Sequence, residues 1–254
     1  MNTRGLTIGA ANILPGVALI PAFTVLLSLV FAIQVLLQYR TRRKIYQLTW
    51  GCALLFWAIA AFPEFTAALS SWSEVGYRAY YLFGALLLVP WLSLGTAELL
   101  TSGPVRLSYQ AFVTIVTVLS IVAAVGMQLH TAHLATSQAP SNCAVYCTTE
   151  SGYGGLNVLA LVLAIVGNTV GTIVLAGGAA LSAFRAFGGH APRNIAVGNV
   201  LILAGALVVA SASTLTRFGV YELFYAGQAL GIAVIFAGFY AINNSVRVAR
   251  PSPA

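Results

Sequence analysis

Apolar residues run along this chain in long unbroken stretches, and polar positions collect between them. Seven stretches reach the roughly 20 residues that a helix rising 1.5 Å per residue needs to cross a ~30 Å hydrocarbon core. They cover residues 16–37, 48–68, 80–100, 109–129, 156–181, 195–214 and 223–243. The runs are continuous instead of alternating, which excludes a membrane β-barrel. The pattern predicts an all-α integral membrane bundle of seven transmembrane helices, one domain over residues 1–244 and a short tail over 245–254. Pro251 and Pro253 predict that the tail is disordered. One basic residue precedes a first run of full spanning length, so that run is expected to stay as a helix and not to be cleaved as a signal.

Composition agrees with a bilayer and adds an orientation. Charged residues make up 7% of the chain against a hydrophobic 59%, too few to cover a soluble globule, which carries about 25%. Nine of the twelve Lys and Arg fall on one side of the predicted spans: Arg40, Arg42, Arg43, Lys44, Arg106, Arg185, Arg193, Arg247 and Arg250. Arg4, Arg78 and Arg217 fall on the other. The positive-inside rule then places the N-terminus outside and the C-terminus in the cytoplasm. The net charge of +7 is therefore mainly a topology signal, and no soluble basic surface is left for nucleic acid. Eleven Arg to one Lys, with many Ala, point to a GC-rich genome and a bacterial cytoplasmic membrane.

Only one connection is long, over residues 130–155 on the outer side, and it could cap an extracytoplasmic opening. It holds Cys143 and Cys147, for which an oxidising compartment implies a disulfide. The competing reading joins them to His130 and His133 in a metal site of Cys2His2 type, but their order and spacing match no standard finger. Cys52, inside the second run, reads as a small core residue.

Catalytic chemistry finds little to use. The chain has no Asp, five Glu and three His, none of them in the middle of a span. Bis-histidine haem ligation, a phosphate-binding glycine loop, an H-E-x-x-H zinc site and a serine nucleophile with a base at bilayer depth are all excluded on those grounds. The sequence names no cofactor.

Polar residues within spans are costly in hydrocarbon and become the candidates by default. Glu64 lies a full turn inside the outer end of the second run. Trp50, Trp57 and Glu64 recur every seven residues along broadly one helical face. Arg78 opens the third run beside Tyr77 and Tyr81. On the last two runs lie Ser213, Arg217, Glu222, Tyr225 and Gln228, with Tyr221, Tyr225 and Gln228 on one face at i, i+4 and i+7. These positions predict an outward-facing polar pocket built from Glu64, Arg78, Tyr81, Arg217, Glu222, Tyr225 and Gln228. The plainer alternative makes the arginines and tyrosines interfacial anchors. Asn168 is expected to donate between helices, Glu98 to pair with a cytoplasmic Arg, and Pro90 to kink the third helix. Two G-x-x-x-G patterns, Gly167 to Gly171 and Gly227 to Gly231, allow close helix approach.

The stretch from Trp57 to Gly95, two helices joined by a short outer turn, resembles the seven-helix sensory modules at the N-terminus of some bacterial histidine kinases. The resemblance implies a sensor, although no kinase domain follows the seventh run. The third run also resembles helix three of microbial rhodopsins. Those proteins bind retinal through a lysine in helix seven, whereas the one lysine here is Lys44, in a connection. The expected function is a non-enzymatic sensor or ligand-binding membrane module, in contact with lipid, a small-molecule ligand and a membrane-protein partner for output. A proton-coupled transporter relying on Glu64, or an accessory subunit of a larger membrane complex, are the alternatives.

Overall fold

A computed structural model of the protein describes residues 8–129, 155–185, 193–217 and 222–248. Every regular element among them is helical. Among the described residues seven helices are long and apolar enough to span a membrane. They are α1 (Ile8–Arg42), α2 (Ile45–Leu69), α3 (Glu74–Leu100), α4 (Gly103–Gly126), α5 (Gly155–Arg185), α6 (Arg193–Arg217) and α7 (Glu222–Val248). The tail from residue 249 lies outside the described residues.

Most helix ends extend beyond the predicted runs, into the polar residues that flank them. Helix α3 starts at Glu74, where the Ser73 hydroxyl accepts the Gly76 amide at 3.0 Å, an N-cap that satisfies one orphan donor. Arg78 therefore sits a turn inside the helix. Helix α4 begins with Gly103, whose φ of +60° turns the chain out of α3, and Pro104 follows in the first turn, where a missing N–H costs nothing.

The helices form a closed ring in sequence order, α1 packing on α7, and α3 sits inward against α2, α4 and α5. On α1 the residues Leu19, Phe23, Leu26, Val30, Ile33 and Leu37 are exposed at alternating spacings of three and four. That stripe faces lipid. Glu64 and Arg78 mark one end of the bundle; Glu98 and the turn through Arg43 and Lys44 mark the other.

Helices α6 and α7 meet backbone to backbone. A Cβ at Gly205 would come within 2.6 Å of the Gly231 carbonyl oxygen, and one at Gly238 within 2.5 Å of the Gly198 oxygen. Gly227 and Gly231, read as half of a close-packing motif, lie in this seam. The partners on α6, Gly198 and Gly205, are seven residues apart and escaped the four-residue pattern.

At Pro90, where a kink was expected, the structure shows how the missing backbone donor is made good. The segment Tyr80–Leu87 before it is wound as a π-helix, in which each carbonyl looks five residues ahead for its donor. For Ala85 that donor would be Pro90, which has no N–H. The Asn168 amide of α5 supplies the hydrogen bond instead, at 2.8 Å. Gly167 and Gly171 flank Asn168 and let α5 close in, since a Cβ on them would sit 3.1 Å from Pro90 Cγ and 3.1 Å from the Val89 oxygen.

Candidate functional site

The seven-residue spacing of Trp50, Trp57 and Glu64 puts all three on the inner face of α2, where Trp57 and Glu64 are buried and Trp50 half-buried. Opposite them α7 presents Gln228. The Trp57 indole N–H donates to Gln228 Oε1 at 3.0 Å, and Gln228 Nε2 donates to Glu64 Oε1 at 3.0 Å. The chemistry fixes this order. An indole can only donate, so the amide oxygen must face Trp57, and the amide nitrogen is left for the carboxyl. Glu64 is 1% exposed, and no ion pair among the described residues involves it.

Aromatic rings pack the same end. Trp72, Tyr77, Tyr80, Tyr81, Phe224 and Tyr225 share one buried cluster, with Trp72 and Tyr80 edge to face at 5.3 Å and Tyr77 stacked on Tyr81 at 6.1 Å. Of the predicted pocket, then, Glu64, Tyr81, Tyr225 and Gln228 are each less than a tenth exposed. Those four are packed inside the bundle.

Arg78 is placed elsewhere. Its Nη1 donates to the carbonyls of Ala124 and Val125 at 2.8 Å each, and its Nε and Nη2 engage Glu74 at 3.2 and 2.7 Å. Predicted to share a polar pocket with Glu64, the guanidinium instead caps the C-terminus of α4, where unpaired carbonyls carry partial negative charge. The side chains of Arg217 and Glu222, all of Tyr221, and the loop with Cys143, Cys147, His130 and His133 lie outside the described residues.

Among the described residues Glu98 makes no ion pair. It accepts from the Thr49 hydroxyl at 2.8 Å and from Gln110 Nε2 at 3.3 Å, so α2 and α4 supply neutral donors where an arginine was expected. Asn157 makes a two-way bond with the Gln128 backbone, at 2.8 and 3.0 Å, and ties α5 to the end of α4. A search limited to charges passes over Thr49, Gln110 and Asn157. The cost of any unpaired polar group in hydrocarbon was the signal that could have found them.

Below the Trp57–Gln228–Glu64 chain lies a partly open cavity of about 110 Å³ lined by residues of α1, α2, α3, α5, α6 and α7. Phe31, Trp50, Trp57, Ile235 and Phe239 form its apolar wall, while Thr96, Ser182 and Asn199 bring polar groups toward the Glu98 end. Phe31 and Phe239 meet at 4.9 Å, and the Trp50 indole is held by the Leu92 carbonyl at 3.0 Å. Trp57 is the shared member, lining the cavity and donating into the polar chain. No protein-family model, curated protein or solved structure matches the chain.

Proposed function

We propose that the protein is a non-enzymatic ligand-binding sensor of a bacterial cytoplasmic membrane, and that its ligand is a small, mainly apolar molecule held in the bundle core. The observation that carries this reading is the double role of Trp57. A guest against its ring shifts the indole N–H, and Gln228 must then reorient between Trp57 and Glu64. Occupancy is thereby converted into a rearrangement of the α2–α7 contact. The volume is of the order that admits a benzene-sized guest, roughly 150 Å³ in a dry engineered cavity. Ser182 and Asn199 favour a molecule with one hydrogen-bonding group at the end away from Trp57. The basic residues support an N-terminus outside and a C-terminus in the cytoplasm, and the resemblance to kinase sensory modules supports output through a membrane-protein partner.

The test uses indole and small phenols on the purified full chain in detergent. Binding should raise the melting temperature and change Trp57 fluorescence, and Ala206→Phe, which fills the cavity, should abolish both. Stabilisation that survives in Ala206→Phe overturns the cavity as the site.

One observation favours proton-coupled transport as a second reading: Glu64 is a buried carboxyl whose described partner is a neutral amide. Solute uptake into proteoliposomes that follows a proton gradient and disappears in Glu64→Gln would select it. Binding without flux selects the sensor.

A further inference from the structure

Helices α4 and α5 are tied at one end of the bundle by the Asn157–Gln128 pair and by Leu156 packed on Gly126. Toward the other end a groove of about 720 Å³ opens between them, floored by Thr96 and Leu100 of α3. Its walls are Val105, Ser108 and Phe112 on α4 and Ile173, Gly177 and Leu181 on α5. Val105 and Ile173 are 62% and 66% exposed, and a Cβ at Gly177 would meet nothing within 4 Å. The α4 wall runs eight residues and the α5 wall nine, about 12 and 13.5 Å at the helical rise, most of the ~15 Å depth of one leaflet. The groove is thus apolar, chain-shaped and open along a membrane-spanning surface.

Two arginines stand at its end, beside lining residues and not among them. Arg185 follows Leu181 by one turn on the same face of α5, and Arg106 adjoins Val105 at the start of α4. Both are exposed, and no ion pair among the described residues engages either. Glu98, the acid on this stretch of α3, is turned to Thr49 and Gln110 and does not line the groove.

We infer that this groove binds one anionic phospholipid, an acyl chain lying over Gly177 and the phosphate headgroup held by Arg106 and Arg185. The two parts of the site recognise two parts of one molecule. Space left by a missing side chain accepts the chain, and unpaired guanidiniums at headgroup depth accept the charge. The groove shares Thr96, Leu100 and Gly178 with the core cavity as a common wall, and its binding of lipid does not depend on the sensor reading.

Native mass spectrometry of the full chain, purified in detergent with phosphatidylglycerol or phosphatidylethanolamine of equal chain length, tests it. The protein should retain phosphatidylglycerol in preference by roughly 30-fold, the ratio expected of two basic residues at a membrane surface. Gly177→Phe should cut retention of both lipids at least about ten-fold, with Gly177→Ala intermediate. Neither substitution meets protein atoms at the Cβ, so both should fold. The double variant Arg106→Gln/Arg185→Gln should keep a lipid but lose the preference. Retention unchanged in Gly177→Phe and Gly177→Ala, or a preference unchanged in the double variant, overturns the site and leaves only unspecific annular lipid.

Discussion

Helices α5 and α7 carry the same short pattern, a glycine followed by an amide and closed by a second glycine: Gly167, Asn168 and Gly171 in one, Gly227, Gln228 and Gly231 in the other. They use it differently. On α5 the glycines and the amide serve one neighbour, since Gly167 and Gly171 rest on Pro90 and Val89 while Asn168 donates to Ala85, all on α3. On α7 the functions divide. Gly227 and Gly231 bring α6 into backbone contact, and Gln228 turns the other way to Glu64 and Trp57 on α2. Where lipid tails are as apolar as leucine, helices are held by packing and by hydrogen bonds. Helix α5 concentrates both at one interface; α7 keeps a rigid seam on one side and a polar, cavity-linked contact on the other. In the proposed sensor, that division would leave the α2–α7 side free to answer a guest while the α6–α7 seam stays closed.

The seam should show the largest effect. Replacing Gly205 with Leu drives a side chain toward the Gly231 carbonyl, 2.6 Å from where the Cβ must stand, and backbone cannot move aside as a flexible side chain would. Overpacking costs typically about 1 to 3 kcal/mol and occasionally more, and this site belongs at the upper end. Unfolding by SDS titration in detergent micelles measures it. A loss below about 1 kcal/mol would show that the two helices can slide apart, and the contrast with the α2 side would fail.

The sequence made much of this fold legible because spanning segments are read from length and apolarity, which the bilayer imposes directly. Gln228 and Tyr225 were placed inward by the helical period, and Asn168 as an interhelical donor by its depth. The search for charge partners misled at Arg78 and Glu98. It assumed that charges seek charges, while Arg78 found the carbonyls of Ala124 and Val125, and Glu98 found Thr49 and Gln110. Helix ends and hydroxyls compete for the same bonds, and which of them comes near depends on helix rotation and register. No single segment contains that information. The core cavity was illegible for the same reason, since six helices contribute to it.

The α2–α7 contact should come next in size. Glu64→Leu leaves Gln228 Nε2 buried without its acceptor, a loss of about 1 to 3 kcal/mol. Glu64→Gln keeps a carbonyl oxygen in the same place and should stay within about 1 kcal/mol of the parent. SDS titration of the two variants side by side separates a hydrogen bond from a charge effect. Equal losses would mean that Gln228 gains nothing specific from Glu64, and that the polar chain behind Trp57 does not act as a unit.

The smallest effect, and the sharpest test of the single-neighbour use on α5, lies at Asn168. The Ala85 carbonyl depends on it because the position five residues on is Pro90, without an N–H. Asn168→Ala should therefore cost about 1 kcal/mol, in the range of interhelical hydrogen bonds in membranes, which average about 0.6 with a maximum near 1.7. In a Pro90→Ala background a backbone N–H returns to α3, and the carbonyl can be satisfied within its own helix. The same Asn168→Ala change should then cost only a few tenths of a kcal/mol, a difference that a double-mutant cycle isolates. If the cost is the same in both backgrounds, Asn168 is not standing in for the proline's missing donor. The π-helical turn through Tyr80 and Leu87 would then owe its winding to packing around Gly167 and Gly171, and α5 would hold α3 by close approach alone, as α7 holds α6.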